Sequence, residues 1–79
     1  PDPEVFLKAA ELINVESRNC IVFEDSTHGI EAAIAAEMNP VGITTTNREI
    51  ELLESGAQLV VERLDEITLS ILKDLIKSA

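Results

Sequence analysis

Apolar residues recur at two different spacings along this 79-residue chain, and the spacings alternate. Val5, Phe6, Ala9, Leu12 and Ile13 fall three or four apart, which predicts an amphipathic helix over residues 3 to 14. Asp2 is placed to cap it, and Pro3 to open it, where a missing N–H costs nothing. "VESRN" then breaks the period. Residues 20 to 24, "CIVFE", are apolar and partly β-branched with no polar alternation, as in a strand covered on both faces. An alanine-rich helix is expected over 27 to 37 and a second strand at 41 to 44, "VGIT". Thr46 with Glu49 forms a capping box ahead of "REIELLES", which Gly56 ends. "QLVV" at 58 to 61 reads as a third strand, and Ile67, Ile71, Leu72, Leu75 and Ile76 mark a closing helix that begins near Asp65. The order αβαβαβα, with connections of two to six residues, predicts an α/β fold with a parallel sheet and helices packed on it.

Composition narrows the setting. The chain is long enough for one compact unit, and 46% hydrophobic with 27% charged residues is the balance of a folded globular protein. Fifteen acids against six bases give a formal charge of −9, which repels phosphate backbones and anionic headgroups, so neither nucleic acid nor a membrane surface is an expected partner. No apolar run approaches the roughly 20 residues that cross a bilayer. Cys20, the single cysteine, reads as a buried inert thiol, which leaves the cytoplasm as the expected location. The strand at 20 to 24 would leave one sheet edge unpaired, a liability that complete proteins cover. With Pro1 in the first position, this suggests part of a longer protein and self-association if the piece exists alone.

The stretch carrying chemistry is "FEDSTHG". Glu24 ends the most apolar strand, Asp25 begins the turn, and the turn opens a helix, so the two carboxylates lie at the carboxyl edge of a parallel sheet, where ligands of such sheets bind. Adjacent carboxylates repel each other unless a cation or hydrogen-bond donors compensate, and a hard divalent ion such as Mg²⁺ suits oxygen ligands. The alternative from spacing alone is that Asp25 or Ser26 caps the helix while Glu24 faces solvent.

"PDPEVFLKAAE", "IVFEDSTHGIEAAIAAEM" and "NPVGITT" together resemble the carboxy-terminal part of the haloacid dehalogenase (HAD) superfamily, in particular its β-phosphoglucomutase-like phosphatases and phosphomutases. The resemblance runs from Pro1 to about Leu64. It implies a three-layer Rossmann-like core, present here only in part: residues 1–79 would be the carboxy-terminal part of one core domain. It also implies phosphoryl transfer through an aspartyl-phosphate on a small phosphorylated metabolite such as a sugar phosphate, with Mg²⁺ bridging enzyme and phosphate. Asp25 and Glu24 match the family's acidic metal motif, with Asp25 the first choice as ligand. Ser26 matches a position that supports the metal site or caps the helix, and Gly29 one that lets helix and sheet pack closely. The family's D-x-D nucleophile, its phosphate-binding Ser/Thr and its lysine are not found; that lysine would immediately precede Pro1, and the substrate-selecting cap would also come earlier. Relatives often have glycine where Glu37 stands, so the turn "EMNP" is expected to close differently, with Asn39 left-handed and Pro40 opening the next segment.

Other polar residues receive plainer readings. His28 is an exposed helical residue, Arg48 and Lys8 are solvated charges, and Thr44, Thr45 and Thr46 serve the helix start more than a pocket. Two functions from different classes follow: part of a Mg²⁺-dependent phosphoryl-transfer enzyme, or a noncatalytic α/β module with an interaction or assembly role.

Overall fold

The computed structural model describes residues 1–44 and 48–77, with Lys77 by its backbone only. The elements are α1 (Glu4–Ile13), β1 (Ile21–Glu24), α2 (Thr27–Ala35), β2 (Asn39–Ile43), α3 (Glu49–Glu54), β3 (Leu59–Val61) and α4 (Leu69–Lys77), with short 3₁₀ turns at Ser17–Asn19 and Leu64–Glu66. The strands form one parallel sheet in the order β1-β2-β3. Ile21 lies beside Asn39 and Glu24 beside Gly42, while Val41 lies beside Leu59.

Alternation along each strand sends side chains to two covered faces, which produces three layers. On one face Val22 packs with Ala10 of α1 and with Ala33, Ala36 and Met38 at the end of α2. On the same face Ile30 of α2 packs with Leu52 of α3 and Ala57. On the other face Val41 and Val61 meet Leu75 of α4, with Ile21, Ile43, Leu59, Ile67 and Ile71 around them. The stripe in the closing helix is therefore core, as its spacing implies. The expected α/β class and parallel sheet are present.

Three helices end alike, with a residue in the left-handed region after the last turn: Asn14 (φ 56°), Glu37 (φ 61°) and Gly56 (φ 115°). Asn39 is not left-handed; Glu37 takes that conformation although it costs a residue with a Cβ about 1–2 kcal/mol. The turn compensates for the strain. Glu37 N–H donates to Ile34 O and Met38 N–H to Ala33 O, both at 2.9 Å, the paired bonds of a Schellman end, and they bring Met38 into the core.

Asn39 instead begins β2, and its side chain is among the most buried in the molecule. Its Nδ2 donates to Arg18 O at 2.8 Å and to Cys20 O at 2.9 Å, while its Oδ1 accepts from Gln58 Nε2 at 3.2 Å. One amide thus ties the segment entering β1 to the residue that precedes β3, across the amino ends of all three strands. The pairing register that places Glu24 beside Gly42 is held at this end.

Other boundaries move for local reasons. Helix α1 starts at Glu4 with Pro3 in the cap position, and Asp2 accepts the Glu4 N–H at 2.9 Å from one residue further out. The closing helix starts at Leu69, not near Asp65. Residues 64–66 form a separate turn in which Glu66 Oε2 accepts the N–H groups of Glu62 and Arg63, and Thr68 Oγ1 accepts the Ile71 N–H at 3.2 Å in the new first turn. The capping role of Thr46, and Thr45 beside it, lie outside the described residues. Arg48 holds the cap position of α3 and pairs with Glu51 at 3.2 Å, both partners being exposed. Cys20 lies just before β1, half-buried, with its thiol directed at Glu16 O at 3.6 Å.

Helix α1 covers less than its apolar stripe predicts. Only Ala10 is buried; Val5, Leu12 and Ile13 are 75%, 80% and 66% exposed. Among the described residues no strand pairs with the outer edge of β1, and Phe6, Ala9, Ala10 and Ile13 of α1 line a shallow apolar groove with Ile21 and Val22 of β1.

Replacing Asn39 with alanine leaves the Arg18 carbonyl and the Gln58 amide without their buried partner, and is expected to lower stability by about 2 kcal/mol. Urea unfolding followed by circular dichroism checks this; a loss no larger than that of an exposed Asn→Ala change contradicts the bracing role.

Candidate functional site

The site is built at the sharp passage from β1 to α2. Only Asp25 and Ser26 separate the last strand residue from the first helical one. Ser26 has extended backbone (φ −123°, ψ 151°), and its Oγ accepts the Gly29 N–H at 3.0 Å, which makes it the N-cap of α2. The same hydroxyl donates to Glu24 Oε1 at 3.2 Å. Of the two readings of Ser26, the cap is present, and the same oxygen also contacts the Glu24 carboxylate.

Glu24 follows Val22 on the face of the sheet covered by α2, and its half-buried side chain turns across the first turn of that helix. A Cβ at Gly29 would overlap Glu24 Oε1, Cδ and Cγ, so the carboxylate arm occupies the space where any other residue would carry its side chain. Sequence reasoning gave Gly29 a general packing role. The structure gives it a specific neighbour, the Glu24 side chain. A negative group over the first turn is also favoured by the unpaired N–H groups and dipole of the helix.

Asp25 is exposed and stands outside the strand. The two residues therefore differ in burial: Glu24 is half-buried against the helix, and Asp25 is exposed at the carboxyl edge of the sheet. As a donor set they are hard oxygen ligands. Among the described residues no three His, Cys, Asp or Glu side chains converge as a complete metal cage. A pair of carboxylates does fit Mg²⁺, which is commonly held by one or two carboxylates with water and substrate oxygens completing its octahedron.

The other described polar candidates make contacts of their own. His28 is exposed, with Nδ1 4.0 Å from Glu31 Oε1 one turn on. Thr44 donates its N–H to Val61 O at 3.0 Å, and its hydroxyl faces the same carbonyl at 3.5 Å. Thr44 and Arg48 line an open depression of about 410 Å³ with Val60, Val61 and Glu66, at the carboxyl ends of β2 and β3.

A parallel sheet covered on both faces, with an acidic pair where a strand gives way to a helix, defines an α/β unit of the kind that binds ligands at the carboxyl ends of its strands. Comparison with known proteins places it more closely. The model of the haloacid dehalogenase-like hydrolase family matches residues 1–43, and the chain belongs to that family. It is 43% identical over 75 residues to the chloroplastic 5-amino-6-(5-phospho-D-ribitylamino)uracil phosphatase of Arabidopsis thaliana, covering 95% of this chain and 20% of that protein. It is 35% identical over 74 residues to β-phosphoglucomutase of Bacillus subtilis, covering 94% and 30%. A crystal structure of a family IA HAD hydrolase from Entamoeba histolytica superposes with a TM-score of 0.91 at 40% identity, covering 98% of this chain and 35% of that one. The chain thus spans between a fifth and about a third of the length of these relatives.

Changing Ser26 to alanine removes both the cap and the bond to Glu24. It is expected to cost about 1 kcal/mol in urea unfolding. A change within a few tenths would contradict its place at the head of α2.

Proposed function

We propose that this chain supplies the metal-anchoring corner of a Mg²⁺-dependent phosphoryl-transfer enzyme. The observation behind this reading is the pairing of a held Glu24 with an exposed Asp25 at the carboxyl end of β1. Asp25 is the residue assigned direct contact with the ion, and Glu24, fixed by Ser26, adds its charge from the helix side. Bound Mg²⁺ would lessen the repulsion between a carboxylate nucleophile and a phosphate group and hold the two in line. This chain's part is to hold the ion; the nucleophilic aspartate of the family's D-x-D motif has no match in it and would come from the rest of the protein. In this reading residues 1–79 are the carboxy-terminal part of a HAD-like core whose remaining strands and cap lie elsewhere. The coverage of 35% at a TM-score of 0.91 supports that division.

A small phosphorylated metabolite, such as a sugar phosphate, is the substrate class we assign to the whole protein, acting in the cytoplasm. The names of the two curated relatives, a phosphoribitylamino-uracil phosphatase and a phosphoglucomutase, support the class. Phosphatase and mutase differ in whether water or a second sugar hydroxyl takes the phosphoryl group, and the residues of this chain serve either.

The second reading is a noncatalytic module that self-associates. The open β1 edge and the exposed Val5, Leu12 and Ile13 favour it for the isolated chain. One preparation tests both. The purified 79-residue chain is expected to hydrolyse no p-nitrophenyl phosphate with Mg²⁺, because the metal has no nucleophile to serve. Turnover that disappears in Asp25→Asn would overturn the division of labour proposed. In sedimentation, a dimer dispersed by Ile13→Asp supports self-association, and a monomer at all concentrations contradicts it.

A further inference from the structure

We infer that Gly29 is a positioning residue for the acidic pair: its missing side chain is the space in which the Glu24 carboxylate is held beside Asp25. The functional half of this inference rests on the metal reading above, whereas the structural half does not. Gly29 lies inside the first turn of α2, two residues after the helix begins, and it is not a positive-φ glycine; among the described glycines only Gly56 is. Its backbone therefore does not call for glycine. Helix preference argues against it, since glycine in a helix is less stable than alanine. What calls for it is Glu24, whose Cγ, Cδ and Oε1 all occupy the volume of a Cβ at this position.

The overlap involves the stem of the side chain as well as its tip, so rotating the carboxylate in place does not relieve it. The arm must leave. Leaving breaks the bond from Ser26 Oγ to Glu24 Oε1, and Ser26 is in turn held by the Gly29 N–H. The three residues form a closed circuit in which Gly29 donates to Ser26, Ser26 donates to Glu24, and Glu24 fills the space over Gly29. A side chain at 29 opens the circuit at the carboxylate while leaving the cap bond intact. Gly29→Ala therefore acts as a loss of Glu24's position, with the helix preserved.

This separates Gly29 from an ordinary helix glycine by a difference of sign that a double-mutant cycle reads. Helix preference alone predicts that Gly29→Ala raises the urea midpoint equally whether residue 24 is Glu or Ala. The inference predicts that Gly29→Ala raises the midpoint more in the Glu24→Ala background than in the native one, because only the native side chain must be displaced. Equal shifts in the two backgrounds overturn it. The functional half is read with Mn²⁺ alone, by titration of the folded chain. Gly29→Ala is expected to weaken binding by roughly tenfold, as loss of an outer partner does, and to add nothing further once Glu24 is alanine. Binding unchanged by Gly29→Ala but weakened by Glu24→Ala overturns the positioning role. Coupling in the urea cycle with no Mn²⁺ binding by the native chain supports Gly29 as the holder of Glu24 and overturns the metal reading instead.

Discussion

The site depends on a carboxylate resting on the first turn of a helix. Glu24 reaches that place because β1 gives way to α2 within two residues, because Ser26 caps the helix and donates to Glu24 at once, and because residue 29 has no side chain. Each condition is local. Together they fix one negative group where the helix dipole tolerates it, with the exposed Asp25 next to it in the chain. Two adjacent acids thereby differ in exposure, Glu24 half-buried against the helix and Asp25 at the surface.

The rest of the sheet holds this corner in register. At the opposite end of the strands the Asn39 amide bridges the entry to β1 and the residue before β3, so a slip of β1 against β2 would break buried polar contacts as well as exchange the faces of its side chains. Leu75 and its neighbours close one face, and Ile30 with Leu52 closes part of the other. Helix α1 is the weakest part of this packing, since it lies beside the open edge and buries little besides Ala10 and half of Phe6.

Alternating apolar periods placed every strand and helix of the described residues in the right order, because a buried parallel strand and an amphipathic helix leave different marks on a sequence. The place of Glu24, Asp25 and Ser26 was equally legible, since they stand at a boundary those periods define, whereas a metal role for them is implied by the family resemblance and not by spacing. Glu37 was misjudged because its conformational cost is visible in the sequence, whereas the Schellman bonds and the burial of Met38 that offset it are not. Asn39 was misjudged for the related reason that Asn is the common left-handed residue, and only the fold shows two carbonyls and an amide waiting for its side chain. The closing helix was placed early because Ile67 continues its period, although Glu66 and Thr68 interrupt the backbone between them. For Gly29 the sequence implies only close packing of helix and sheet, and the neighbour that fills its space is the Glu24 side chain.

The central claim is that the carboxyl end of β1 is a cation site, and paramagnetic broadening by Mn²⁺ in amide-resolved NMR of the chain tests it most directly. Substoichiometric Mn²⁺ is expected to broaden the amides of residues 24–29 first and to spare the acidic turn at residues 62–66, with excess Mg²⁺ restoring the lost signals. Broadening that is uniform over the fifteen acidic residues, or strongest at residues 62–66, would contradict the account.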